Sequence, residues 1–442
     1  MLFSKDDLKR LLVPLLIEQI LAITIGMVDT VMVASAGEAA VSGVSLVDSI
    51  NFLLINLFSC LATGGAVVAS QYLGRGDRLS AGKAGKLLLY ACLAVGSVLG
   101  LFGILLNRPI LRLVFGNIEN DVMQSAQIYF LFSAIGYPFL SLYNANAALL
   151  RAQGNARASL NVALIINVQH VLCNALFIFV FKWGVFGAAL STLLSRLIGA
   201  ALTSVTVLHK ENLIPITNIR KFEWDKLLFG KILKIGLPTG FEGSFFQLGK
   251  LILASLTASF GTASLAANAI TNNLASFQTI AGTAIGLGMV TVVGRCVGAK
   301  EYEQAKAYTK KLMFLTYAII WAITIPSIFL LKPLIGMFNL SDEANTIAYS
   351  LMLSHSVFAV LTWPISFVLP NALRAAGDAK FTMGVACISM ALVRVLMSFI
   401  FANTLGLGVL GIWLAMELDW ATRGAAFVWR FIRGKWQRAK LI

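Results

Sequence analysis

The chain has 442 residues, of which 58% are hydrophobic and 12% charged, with a mean hydropathy of +0.83. A soluble globular protein of this length needs about twice that share of charged residues to cover its surface, so a soluble enzyme or binding module is excluded. The net charge of +15 raises the question of nucleic-acid binding, which the placement of the charges answers below.

Apolar runs of about 20 residues, enough to cross a bilayer core of roughly 30 Å, recur along the whole chain. They are continuous, as in Leu87–Leu106, and lack the alternation of outer-membrane strands. Because backbone polar groups in lipid must be satisfied internally, the fold class is all-α integral membrane. Twelve transmembrane helices are expected over 11–34, 43–70, 87–106, 122–147, 159–181, 184–208, 231–258, 265–293, 311–331, 345–370, 382–402 and 408–429. The first run is too long for a signal-peptide core and lacks a small-residue cleavage pattern, so it reads as the first span. Five dispersed cysteines, with no CxxC pair, suggest neither a disulfide framework nor a metal site.

Most of the 35 Lys+Arg fall in the N-terminal segment, in alternate loops and in the tail after Arg430. The opposite loops hold Arg108, Arg112, Lys182 and Lys332. This asymmetry is the positive-inside pattern and puts both termini in the cytoplasm of a plasma (inner) membrane protein. The basic surplus thus marks topology and contact with the lipid bilayer, not nucleic acid.

Shifting the chain by 224 residues superposes Pro14 on Pro238, Glu18 on Glu242, Gly37 on Gly261, and "GVFG" at 184–187 on "GVLG" at 408–411. A shift of 223 superposes "LRAQGNA" (150–156) on "LRAAGDA" (373–379). The chain is therefore a repeat of two six-span halves: an N-lobe at 1–208, a cytoplasmic linker at 209–228 and a C-lobe at 229–442. An even span number gives both halves the same orientation, and parallel repeats of this kind place a substrate path between the halves near mid-membrane.

The stretches "PLLIEQILAITIGMVDTVMVASAGEAAVSGVS" (14–45), "ASQYLGRGD" (69–77), "IGLPTGFEGSFFQLGKL" (235–251) and "LRAAGDAKF" (373–381), in this order, resemble the MATE (multidrug and toxic compound extrusion) family. The resemblance implies a V-shaped pair of six-helix lobes. It also implies antiport: export of cationic amphipathic compounds against an inward flow of H⁺ or Na⁺, with no other cofactor.

A charge within a span is costly and usually functional or paired. Glu18 and Asp29 lie eleven residues apart on the first span, hence on one face and roughly 16 Å apart. The resemblance makes Asp29 the first-helix coupling acid, His170 and Asn174 its helix-five partners and Thr192 the helix-six hydroxyl. Asn174 stands where the family carries a second carboxylate, and His170 adds a titratable imidazole, which favours protons. Glu242 is the repeat counterpart of Glu18, and a sodium ion at Asp29 or Glu242 is the alternative. Arg394, Glu417, Asp419 and Arg423 read as ion pairing between the last two spans. Phe52, Tyr137, Tyr143, Phe245, Phe246, Asn272 and Trp363 are candidates for a cavity lining, since aromatic faces attract organic cations.

The expected function is therefore secondary active multidrug efflux by a monomer. A flippase for a lipid-linked sugar is the alternative. A passive channel or a membrane-embedded enzyme is disfavoured, because HExxH, GxSxG and a protease-type aspartate pair are all missing.

Overall fold

The computed structural model describes residues 2–116, 118–338, 340–439 and 441–442. Twelve long helices organise the chain. The first six are α1 (Lys5–Ala34), α2 (Glu38–Gly74), α3 (Arg78–Leu105), α4 (Asn120–Ala152), α5 (Ala156–Val180) and α6 (Gly184–Val207). They are followed by α7 (Lys226–Ala258) and by α8 (Thr262–Gly298), α9 (Tyr302–Phe329), α10 (Asp342–Ala375) and α11 (Ala379–Thr404). α12 (Gly408–Ile432) is the last. Ten of the twelve are both long and apolar enough to span a bilayer. The other two, α7 and α12, have the length, but α7 carries Glu242 and Lys250, and α12 carries Glu417, Asp419 and Arg423. Each expected span falls on one helix, and several helices extend further at their polar ends, as where α3 begins at Arg78 and α9 at Tyr302.

Local chemistry sets the boundaries. Ser4 and Asp7 form a reciprocal capping box at the start of α1. Asp77 caps α3 by accepting from the Ser80 amide at 2.9 Å. Gly37 and Gly261, repeat counterparts, make the turns α1–α2 and α7–α8 with φ of +106° and +92°, a backbone region that only glycine enters readily.

The helices form two compact units, Phe3–Leu237 and Pro238–Ile442, the second joined by Leu2, whose amide donates to Gln304 Oε1. The first unit extends past the expected linker. Linker residues Ile214 and Ile216 are buried, and the Tyr90 hydroxyl donates to the carbonyl of Ile219. The first turns of α7 pack there too, with Lys231 Nζ donating to the Tyr72 hydroxyl at 2.9 Å. The polar composition of 209–228 thus conceals a docked segment, anchored by two isoleucines. The core of the first unit is built around Val47, Phe58, Phe130 and Tyr137.

Close packing of α3 on α4 relies on small residues. A Cβ added at Gly100 would sit 2.6 Å from the Ala134 carbonyl oxygen, and one at Gly103 would sit 2.8 Å from Ala134 Cβ. Small residues let membrane helices approach in this way. Gly100→Val is expected to destabilise the protein by about 1–3 kcal/mol through overpacking against backbone. Gly384→Ala, on α11 where nothing lies within 4 Å of the added atom, should be neutral. Thermal unfolding in detergent, followed by loss of the monodisperse peak, separates the two.

Candidate ion-coupling site

α1 and α5 bring three of the expected residues into contact. Asp29 lies in the last two turns of α1. His170 and Asn174, four residues apart, occupy one face of α5. Asn174 Nδ2 donates to Asp29 Oδ1 at 2.6 Å, and His170 Nε2 lies 3.0 Å from the same oxygen. Just beyond Asn174 the helix widens into π-type turns over Ala175–Val180, a feature that often accompanies functional sites. Asn174 is fully buried, while the Asp29 side chain keeps 25% of its surface exposed and His170 12%. The site is therefore enclosed yet reachable by protons.

The far side of the imidazole faces two hydroxyls. His170 Nδ1 lies 3.2 Å from Ser191 Oγ and 3.1 Å from Ser195 Oγ, both on α6. Each serine already has a carbonyl for its hydrogen: Ser191 donates to the His170 carbonyl at 3.0 Å, and Ser195 to Gln169 Oε1 at 3.0 Å or to the Ser191 carbonyl at 2.9 Å. Nδ1 therefore has two hydroxyl oxygens within hydrogen-bond distance, and a serine hydroxyl can either accept from it or donate to it. On the other nitrogen, Nε2 lies within hydrogen-bond distance of the Asp29 carboxylate at 3.0 Å. The arrangement is thus an acid–imidazole couple joined at Asp29 Oδ1.

Thr192 donates to the Ala188 carbonyl of its own helix. The hydroxyls on His170 belong instead to its neighbours Ser191 and Ser195, which the sequence reading passed over. Their four-residue spacing in an otherwise apolar run is the signal that could have found them.

Glu18 and Glu242 lie apart from this couple, and each has an arginine partner. Arg151 Nη1 stands 3.7 Å from Glu18 Oε1, and Ser159 Oγ donates to Glu18 Oε2 at 3.2 Å. Arg374 Nη2 donates to Glu242 Oε1 at 2.6 Å, and Arg374 Nη1 donates to Asn371. The two pairs are repeat counterparts, one tying α1 to α4 and the other α7 to α10. Arg151 and Arg374 sit in the last turn of their helices.

Asp48 receives the Asn51 amide at 3.1 Å, and Asn51 in turn accepts from the Tyr137 hydroxyl at 3.0 Å. Tyr137 is fully buried in this network, and Trp363 is buried against Phe367 at a ring separation of 5.0 Å; both pack between helices. Phe52 is exposed, and Tyr143, Phe245 and Phe246 are half-buried. Asn272 lines a cavity of the second unit. Asp419 pairs with Arg394 at 3.8 Å and Arg423 at 3.4 Å, as expected for the last two spans, whereas Glu417 receives the hydroxyl of Ser354 on α10.

A two-fold repeat of six spans with a partly buried acid–imidazole couple is the architecture of a membrane transporter. The family model MatE matches residues 14–176 and 238–400, two stretches that begin on Pro14 and Pro238 and are offset by the same 224 residues as the repeat. The chain belongs to this family. It is 28% identical to the uncharacterized transporter YisQ of Bacillus subtilis, over 93% of this chain and 90% of that one. It is 24% identical to the probable multidrug resistance protein NorM of Thermotoga maritima, over 99% and 94% of the two chains. The fold matches a crystal structure of MATE in the bent conformation with a TM-score of 0.90 and 18% identity, over 98% of this chain and 96% of that one.

Proposed function

We propose that this MatE-family transporter is a proton-coupled antiporter that exports amphipathic, chiefly cationic organic compounds, with the Asp29–His170–Asn174 cluster as its coupling site. The observation that carries this reading is the hydrogen-bond pattern around His170: the imidazole lies within hydrogen-bond distance of a carboxylate on one side and of two serine hydroxyls on the other. Nitrogen donors occupy Asp29 Oδ1, whereas sodium, a hard cation, is held by oxygen ligands. Glu242 already has a guanidinium at 2.6 Å, which disfavours a sodium ion there.

The mechanism follows from the charges. With the proton present, the couple links α1 to α5. Loss of the proton removes the positive charge that the carboxylate attracts, while the Asn174 amide, 3.3 Å from Nε2 and 2.6 Å from Asp29, still bridges them. The α1–α5 contact weakens, and α1, which lacks one backbone donor at Pro14, is free to shift. A cation entering favours the deprotonated state and a proton the loaded state, so the two compete and exchange across the membrane. The relatives named for multidrug resistance support the cargo class.

Efflux of a cationic dye from proteoliposomes, with a pH gradient and a sodium gradient imposed separately, tests this. Dye movement driven by the pH gradient alone is expected. Movement driven by sodium alone would refute the coupling assignment.

A further inference from the structure

The second unit contains a cavity of ≈ 330 Å³ whose wall includes Lys250 of α7, Asn268, Asn272 and Asn273 of α8, Arg394 of α11 and Trp413 of α12. No carboxylate among the described residues lines it. Its volume is at the small end for ligand sites, suited to a headgroup and the first part of an apolar tail.

The charges around it do not balance. Among the described residues Asp419 is the one acid paired with Arg394, and it is shared with Arg423 and with the Ser389 hydroxyl. Arg394 Nη1 is 3.8 Å from Asp419, beyond hydrogen-bond distance. Arg394 is 7% exposed, and its Nε has no hydrogen-bond partner among the described residues. Lys250 and Arg394 both lie against the face of Phe246, at 6.0 and 5.1 Å from the ring centre. Two further contacts orient the carboxamides: Trp413 Nε1 donates to Asn268 Oδ1 at 2.9 Å, and Asn272 Nδ2 donates to the Asn268 carbonyl at 2.8 Å. With its oxygen engaged by the indole, Asn268 offers its NH₂ as a donor.

Uncompensated cations inside a membrane span are expensive and mark functional sites. Ammonium, guanidinium and amide donors converging on one small cavity match an oxyanion, which accepts charge-assisted hydrogen bonds from all three. We propose that this cavity is an anion-binding subsite that takes the carboxylate or phosphate group of an amphipathic molecule. The subsite extends the compounds the transporter recognises to those bearing an acidic group. It does not depend on the coupling assignment, because binding requires no gradient.

The test is equilibrium binding to the purified full-length protein in phosphatidylcholine nanodiscs. The probes are dansyl-undecanoic acid, its methyl ester, and dodecyl phosphate as competitor. The acid should bind at least about tenfold more tightly than the ester. Lys250→Gln, at an exposed side chain with no ion-pair partner among the described residues, should weaken acid binding about tenfold and leave ester binding unchanged, and Lys250→Arg should restore it. Asn272→Leu should weaken acid binding in the same direction. Tighter competition by dodecyl phosphate than by undecanoate assigns the subsite to a lipid-like phosphate, and the reverse order to a free organic acid. Equal affinity for acid and ester, or acid binding untouched by Lys250→Gln, would overturn the proposal.

Discussion

Replacing Asp29 by asparagine reduces proton-driven dye export to the leak of protein-free liposomes while leaving the helix bundle folded. The asparagine is nearly isosteric and can still accept from Asn174, so the α1–α5 contact keeps its shape. What it loses is the negative charge that holds a proton between itself and His170 Nε2. The proton no longer has a place on α1, and its gradient no longer does work on the transport cycle. His170→Gln retains hydrogen bonding to Ser191 and Ser195 but removes the titratable ring. It should cut gradient-driven export by about 5- to 150-fold, the range of ordinary coupling free energies. Counterflow of labelled against unlabelled dye, which needs no gradient, should persist in both variants. Full gradient-driven export by Asp29→Asn would remove the couple from the mechanism.

Arg374→Met is expected to lower stability by about 3–5 kcal/mol, because it strands the Glu242 carboxylate without its cation. The Arg374 and Glu242 side chains are only 13% and 15% exposed, and Glu242 Oε2 has no other hydrogen-bond partner among the described residues. Solvent cannot replace the lost guanidinium. Adding Glu242→Gln to Arg374→Met removes the stranded charge and should recover most of the loss, since replacing both members of a buried pair is often near neutral. The counterpart Glu18→Gln should cost less, because Arg151 stands further away at 3.7 Å and Ser159 supplies a separate hydrogen bond. Thermal unfolding of the purified variants gives the order directly. A double variant no more stable than Arg374→Met would show that the pair is not the source of the loss.

The helices were legible in the sequence because lipid imposes a single requirement, long uninterrupted apolar runs, and all twelve carry them or nearly so. The repeat was legible because glycines, prolines and charges recur at fixed offsets, and Gly37 and Gly261 do so for a backbone reason. The coupling couple was legible only in part. Asp29 announces itself as an acid in a span, and the four-residue spacing of His170 and Asn174 puts them on one face, but that this face meets Asp29 is a fact of packing. Ser191 and Ser195 were overlooked because serine is common in membrane helices and its bond to a histidine twenty residues away leaves no local mark. The arginine partners of Glu18 and Glu242 were overlooked for a different reason. Arg151 and Arg374 lie in the last turns of helices that end beside basic loops, where the positive-inside pattern already accounts for them, although their repetition beside repeated glutamates was a usable signal. Lys250 and Arg394 are separated by 143 intervening residues, so only the folded unit shows that they share a wall.

The proton content of the couple is the central claim, and substrate-evoked proton release measures it most directly. A cationic dye is added to detergent-solubilised protein in weakly buffered solution containing a pH indicator. The wild type should release protons on binding the dye, and Asp29→Asn should bind the dye and release none. Dye binding by the wild type without any change in pH would contradict the account.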